Sequence, residues 1–262
     1  MRPIVNAAKL RPMRIVICEG EDERALLAVS EIKELKLARP IIIGRPFVIE
    51  KRIEKLGLKI EAGVDFELVN IENDYRYKAL WQRYYQLTKR KGVTEETARD
   101  HMLTRRTLIG AMLISNGDAD GMVCGLDGKY HNHFETIKTV IGYDNPGKIA
   151  AAMNALIIQS GTLFIADTHV NENPTAEQLA EITRMAAKVI HTFGVMPHIA
   201  LVSHSSFGSH GDSPSAMKMR SVLEILQKTD PELIIDGEMH ADAALIPDIR
   251  ARAMPDSPLV GP

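Results

Sequence analysis

The chain has 262 residues, 45% hydrophobic and 25% charged, which is long enough for one large domain or for two lobes with proper cores. A formal net charge of −2 and only 5% aromatic residues argue against nucleic acid or an anionic membrane as partner. No apolar stretch approaches the ~20 residues that cross a bilayer, and Met1-Arg-Pro-Ile-Val-Asn6 lacks the apolar core of a secretory signal, so a cytoplasmic placement is expected.

Arg14-Ile-Val-Ile-Cys18 is a short apolar run closed by Glu19-Gly20, which predicts a buried strand. Glu21-Asp22-Glu23 then opens a helix, its carboxylates complementing the positive end of the dipole. Leu26, Leu27, Ser30, Glu34 and Leu37, with Ile32 and Leu35, make that helix amphipathic. Pro40-Ile-Ile-Ile-Gly44 predicts the next strand, Phe47 to Leu56 a shorter helix, and Phe66 to Val69 another strand. This alternation implies a parallel sheet covered on both faces. Residues 74–91 carry aromatic and basic residues and predict a helix over the sheet. Thr94 begins a long helix with a stripe of Ala98, Met102, Ile109, Met112 and Leu113, stopped by Asn116-Gly117. Ala119 to Cys124 reads as a buried strand.

After Asp144-Asn-Pro-Gly147 the pattern changes, which divides the chain into a first α/β lobe at 1–146 and a second at 147–262. Met153 to Ile158 and Thr162 to Ala166 flank Ser160-Gly161 as an antiparallel hairpin. Thr175 caps a helix, Gln178 completes a capping box, and the helix runs to Gly194. Ile199 to Val202 is a strand, Ser213 to Gln227 a helix, and Leu233 to Ile235 a strand. Ser257-Pro-Leu-Val-Gly-Pro262 reads as a loop opening, so the second lobe is expected to be incomplete at its C-terminal end.

Chemistry concentrates in the second half. The loop 203–214 sets Ser203, Ser205, Ser206, Gly208 and Ser209 between a strand and a helix. Glycine backbone, hydroxyl donors and a helix N-terminus together suit a phosphate or pyrophosphate; a mobile polar surface loop is the plainer reading. Asp236, Glu238 and Asp242, with Asp167, lie at strand ends or just beyond, where they orient a ligand or cap helices. Arg83, Lys89, Arg90, Lys91, Arg105 and Arg106 suit either a phosphate pocket or a solvated helix face. His131, His133, His204, His210 and His240 show no ligand frame with cysteine or carboxylate, so no metal is expected. Cys18 and Cys124 sit in apolar strand-like runs, which suits buried structural thiols in a reducing compartment. Neither Gly-x-Gly-x-x-Gly nor Gly-x-Ser-x-Gly is present, which argues against a dinucleotide fold and against a nucleophile elbow.

Glu19-Gly-Glu-Asp-Glu-Arg24, Ala119-Asp-Gly-Met-Val-Cys-Gly125, Asn171-Glu-Asn-Pro-Thr-Ala-Glu-Gln-Leu-Ala180 and Ile235-Asp-Gly-Glu238 together resemble the phosphate acetyltransferase/butyryltransferase family, in its order and spacing. Ser160-Gly-Thr-Leu-Phe-Ile-Ala-Asp-Thr-His-Val-Asn171 and Gly125-Leu-Asp-Gly-Lys-Tyr-His131 resemble in particular the phosphotransacetylase-like C-terminal domain of the large multidomain malic enzymes. The resemblance implies a two-lobed, three-layer α/β/α fold with largely parallel sheets, on the isocitrate/isopropylmalate dehydrogenase plan, and a cleft that accepts acetyl-CoA or a related acyl-CoA. It implies a regulatory ligand site and a catalytic malic-enzyme part in cis that carries the NADP and divalent metal, neither of which this chain itself would hold. A homo-oligomer is also implied, since family members pair through one lobe, and an oligomerisation module is one alternative reading. A working phosphate acetyltransferase is the other. Against it, the family's transferases place a segment ending in Leu-Arg-Pro where this chain has Tyr130-His-Asn-His-Phe-Glu-Thr-Ile-Lys138. An arginine fork on phosphate has no substitute in a shifted lysine. The family's Ser-Arg pair and catalytic aspartate would lie beyond Pro262, so no catalytic residue is assigned.

Overall fold

Alternation of side chains along the first strands sets the architecture of the N-terminal half. Val16, Cys18, Ile41 and Ile43 enter one apolar cluster, whereas Ile17 and Ile42 enter another. A strand buried on both faces in this way needs helices on both sides. The computed structural model describes residues 2–144, 147, 149–159 and 161–259. Asn145, Pro146 and Lys148 at the expected lobe boundary, Ser160 in the expected turn and 260–262 in the expected terminal loop lie outside the described residues. The chain divides into two compact units, Met1–Gly142 and Tyr143–Pro262.

The first unit runs α1 (Arg2–Leu10), β1 (Met13–Ile17), α2 (Glu23–Leu35), β2 (Ala38–Ile43), α3 (Pro46–Leu56), β3 (Glu67–Val69), α4 (Tyr77–Thr88), a 3-10 turn at Lys89–Lys91, α5 (Glu95–Thr104), α6 (Arg106–Asn116), β4 (Gly121–Val123) and α7 (Tyr130–Val140). Its four strands pair in parallel in the order β3-β2-β1-β4. Residues of α2 and α3 cover one face, and α4, α5 and α6 cover the other, giving three layers. Asp22 caps α2 by accepting from the Arg24 N–H, and Gly117 closes α6 in the left-handed conformation. Gly110, in mid-helix, lets α6 lie directly on the sheet: a Cβ there would sit 2.7 Å from Cys18 Sγ.

The second unit holds β5 (Met153–Ile158), β6 (Gly161–Ala166), α8 (Ala176–Thr192), β7 (His198–Val202), α9 (Pro214–Thr229), β8 (Ile234–Met239), α10 (Ala241–Leu245) and α11 (Pro247–Ala253). β5 and β6 form the expected antiparallel hairpin, while β7 and β8 pair in parallel. Thr175 and Gln178 make the expected capping box at α8. Ala180, Leu201, Val222, Leu226 and Ile235 fill the core between α8, α9 and the β7–β8 pair.

Four expectations are corrected. The long helix from Thr94 is two helices, because Arg105 is extended (φ −111°, ψ 94°) and Arg106 starts a new axis. β4 covers only Gly121–Val123 and is not fully buried, since it is the sheet's edge and Val123 is exposed. The last strand runs on to Met239, with a register shift opposite Leu201 and Val202 that brings in Glu238. In α2 the buried face is Ala25, Leu26 and Val29, leaving Leu27 and Leu35 exposed, because packing on β1 and β2 sets the rotation of the helix.

Candidate functional site

β4 lies on one side of β1, whereas β2 and β3 lie on the other. Chain direction therefore reverses its spread between β1 and β4, and a crevice forms beyond the carboxyl ends of those two strands. A cavity of about 940 Å³ occupies that place, wholly within the first unit, lined by Glu19, Arg45, Arg105, Arg106, Thr107 and residues of α7. Glu19, 6% exposed, follows β1 and accepts from the Gly125 N–H at 3.0 Å, tying the ends of β1 and β4 together. Its Oε2 is buried with no hydrogen-bond partner among the described residues.

Glu21, two residues on, holds the cationic side of the cavity. Its carboxylate accepts from Arg45 N at 3.0 Å, Arg45 Nε at 2.9 Å and Arg45 Nη2 at 2.8 Å, and it pairs with Arg106 Nη2 at 3.1 Å. Two guanidinium groups are thus fixed by one buried carboxylate, with donors left over for an anionic ligand. Hydrogen bonding from Arg45 outweighs the opposing effect of burial, with Arg106 adding to it, and depresses the Glu21 carboxyl from its ordinary 4.5 to about 2. A depressed carboxyl stabilises the fold above its unfolded value and loses that contribution as pH falls towards its folded value. Acid titration should therefore weaken the first unit between pH 4.5 and about 2. Glu21→Gln should flatten this part of the curve of melting temperature against pH; an unchanged curve would remove Glu21 from the account.

The face of α7 towards the cavity carries His131, Asn132, Glu135, Thr136 and Thr139, at helical spacing. His133 stands between two partners. Its Nε2 lies 2.7 Å from Asp127 O, and its Nδ1 lies 2.7 Å from Thr107 Oγ1. Gly128 (φ +94°) passes so close that a Cβ would lie 3.0 Å from His133 Nε2.

In the second unit, the serine-rich loop follows β7 and is organised around Glu238, which is 1% exposed. Glu238 Oε1 accepts from Ser205 Oγ at 2.8 Å and Gly208 N at 2.9 Å, with Arg220 Nη1 at 3.5 Å. Arg220 Nη2 also donates to Gly211 O. Burial raises the Glu238 carboxyl, but Gly208, Ser205 and Arg220 outweigh it and hold the group below its ordinary range. Ser206 N donates to Ser209 Oγ at 3.0 Å, and Ser205 N to Ser203 Oγ at 3.3 Å. The loop's inner donors therefore meet a protein carboxylate, and the hydroxyls of Ser203, Ser206 and Ser209 belong to residues with solvent access.

Asp236 is spent on Gly237 N at 2.9 Å through Oδ1, its Oδ2 being buried without a partner among the described residues. Asp242 lies exposed in the first turn of α10. Asp167 stitches its own loop, accepting from Ala152 N at 2.9 Å and Asn171 N at 2.7 Å. His204 and His210 have ring centroids 6.0 Å apart, and His240 Nε2 donates to His204 O at 2.8 Å. Among the described residues no group of three or more His, Cys, Asp or Glu is placed to hold a metal ion.

Of the basic run, only Arg105 and Arg106 reach the cavity; Arg83 bonds Ser115 and Asn116, and Lys89, Arg90 and Lys91 are exposed. Reasoning from sequence missed Glu21 and Arg45 as site residues. Their signal was available: Gly20 and Gly44 end two neighbouring parallel strands, and the polar residues just after such glycines face the crevice.

Residues 1–262 match the family described as phosphate acetyl/butaryl transferase. The chain is 54% identical over 261 residues to the NADP-dependent malic enzyme of Escherichia coli (strain K12), covering 100% of this chain and 34% of that protein. It is 32% identical over 262 residues to the phosphate acetyltransferase of Corynebacterium glutamicum, covering 98% of this chain and 77% of that protein. The solved phosphotransacetylase from Streptococcus pyogenes superimposes with a TM-score of 0.86 at 31% identity, covering 100% of this chain and 79% of that one. The chain spans about a third of the length of the malic enzymes it matches.

Proposed function

This chain belongs to the phosphate acetyl/butaryl transferase family, and on that premise we propose that it binds acetyl-CoA or a related acyl-CoA as a regulatory ligand of a malic enzyme. Its phosphotransacetylase-like character is common to the malic enzymes and the phosphate acetyltransferases it matches. The reading adds that oxidative decarboxylation of malate, with NADP and a divalent metal, belongs to a separate part of such an enzyme, in the cytoplasm. It also adds self-association, in keeping with the half-exposed Leu156, Ile157 and Ile158 of the hairpin, and the isocitrate/isopropylmalate dehydrogenase-like plan for the two units.

The observation that carries the proposal is the cavity of about 940 Å³ whose arginines are pinned by Glu21. Its volume matches a nucleotide-sized ligand rather than a lone phosphate, and Arg45, Arg105 and Arg106 supply cations for the ligand's phosphates. In the second unit, taken by itself, Ser203, Ser206 and Ser209 would offer hydroxyls to a phosphate. Ser205, Gly208, Asp236 and Glu238 would hold the loop in shape, with Asp242 at its rim. The α7 segment contributes no arginine to the cavity, and its Lys138 is paired with Glu135, which supports binding without acyl transfer to phosphate.

Titration calorimetry with acetyl-CoA should show one site with Kd below millimolar, weakened about tenfold in Arg106→Ala, the loss of one charge-assisted hydrogen bond. No heat at millimolar ligand would end the proposal. The arginines of the cavity equally suit a second reading, a phosphate acetyltransferase. That activity would release free thiol and form acetyl phosphate when acetyl-CoA and phosphate are mixed with the chain; neither product is expected.

A further inference from the structure

The switch-point crevice also brings together the chain's two cysteines, at places the acyl-CoA reading does not use. β1 and β4 pair in register at Ile17 and Val123, and Cys18 N donates to Val123 O at 3.0 Å. Cys18 and Cys124 are therefore the next residues of two adjacent parallel strands, which lie about 4.8 Å apart, inside the Cα range of about 4.4–6.8 Å that a disulfide spans. Both are free thiols, Cys18 buried and Cys124 partly exposed, and both sit on the same apolar cluster, on one face of the sheet.

Cys124 also stands near a hydroxyl–imidazole pair. Thr107, on α6, helps to lower its thiol, and the Thr107 hydroxyl lies 2.7 Å from His133 Nδ1, on α7. Asp127 O can only accept, so His133 Nε2 donates to it, which leaves Nδ1 to face the Thr107 hydroxyl. Passing the Cys124 proton to Thr107 Oγ1, and the Thr107 proton to Nδ1, would give a thiolate that receives the Thr107 O–H and an imidazolium that donates to Asp127 O.

We propose that Cys124 and Cys18 form a reactive thiol pair that hydroperoxides close to an intramolecular disulfide, Cys124 attacking and Cys18 resolving. The Cys124 thiolate attacks the outer oxygen of the hydroperoxide and the O–O bond breaks. The departing alkoxide takes the proton held on His133, through Thr107, and leaves as alcohol. Cys18 then attacks the Cys124 sulfenic acid; the S–S bond forms, and the displaced hydroxide leaves as water with the Cys18 proton. Two thiols lose two electrons, and one hydroperoxide is reduced to alcohol and water.

The groups facing the pair divide the roles. Cys18 and Glu19 approach from the end of β1, Thr107 from α6 and His133 from α7. The neighbouring Cys18 thiol, with His133 and Thr107, outweighs burial and Glu19 and lowers the Cys124 thiol to about 7. The neighbouring Cys124 and burial push the Cys18 thiol up, so it keeps its proton until the second step. Gly110 leaves the room in which Cys18 Sγ sits, Thr107 and His133 line the open cavity, and Cys124 is itself partly exposed.

One equivalent of hydrogen peroxide at neutral pH should lower the intact mass by about 2 Da, remove both titratable thiols and link the Cys18 and Cys124 peptides, all reversed by dithiothreitol. Cys18→Ser should stop at a sulfenic acid on Cys124 that dimedone captures. Thr107→Val should slow alkylation of Cys124 at neutral pH about tenfold and move its pH inflection upwards, while Thr107→Ser restores both. Thiols that remain titratable, oxidation of Cys124 to sulfinic acid without a link, or a folded Thr107→Val that alkylates at the parental rate would each overturn the proposal.

Discussion

Glu238→Ala should lower the stability of the second unit by about 3 kcal/mol, the range seen when one partner of a buried charged hydrogen-bond cluster is removed. The carboxylate accepts from Ser205 Oγ and Gly208 N, and faces Arg220, in a place only 1% exposed. Truncation leaves the Ser205 hydroxyl, itself fully buried, and the Gly208 N–H without their acceptor. Apolar replacement also cannot fill the site, because the neighbours are donors rather than methyl groups. Glu238→Gln keeps an acceptor for both donors and gives up the charge facing Arg220, so it should cost about 1 kcal/mol. Chemical denaturation of the three proteins measures the order. Hydrogen exchange supplies a local reading, since the Gly208 and His210 amides, bonded to Glu238 and Ser205, should lose protection first in the alanine variant. If Glu238→Ala unfolded at the parental denaturant midpoint, the loop would owe its shape to something else.

Gly20→Ala should be the most damaging single methyl in the first unit. Its new Cβ would lie 1.9 Å from Ile42 Cγ2 and 2.7 Å from Ile43 O, and the second contact is backbone that no rotamer change relieves. Ile42 is fully buried between β2 and the α2–α3 layer, so it has no free volume to enter. A loss of about 3 kcal/mol, on the order of 10 °C in melting temperature, is expected from overpacking of this severity. Because Glu19 and Glu21 flank the residue, displacement of the turn should also weaken the hold on Arg45 and Arg106. Gly57→Ala is the control: its φ of +64° costs about 1 kcal/mol of backbone strain, but nothing lies within 4 Å of the added methyl. Equal melting temperatures for the two variants would show that close approach to β2 is not what Gly20 provides.

Much of the second unit's order was legible in the residues. Thr175 and Gln178 announce the start of α8, and Ser213-Pro214 that of α9, because caps satisfy backbone donors within a few residues of themselves. The hairpin of β5 and β6 was equally local. The break between α5 and α6 was not. Thr104-Arg-Arg-Thr107 contains neither glycine nor proline, and its partners are remote: Arg106 turns to Glu21, and Thr107 to His133. The serine-rich loop shows the same limit. Its donors were readable as a place for an anion, yet the anion that meets Ser205 and Gly208 is Glu238, 33 and 30 positions away.

By itself, the amino-acid sequence determined most of the strands and helices, the caps that open them, and the family to which the chain belongs. All of these are properties of residues a few positions apart or of their order. The place of the cavity, the two pinned arginines and the meeting of Cys18 with Cys124 were decided by tertiary structure. They depend on β4 pairing with β1 on the side away from β2, as the Glu19–Gly125 bond does across 106 residues. Strand order of that kind is set by which non-local pairing buries the most apolar surface, and no local pattern carries it.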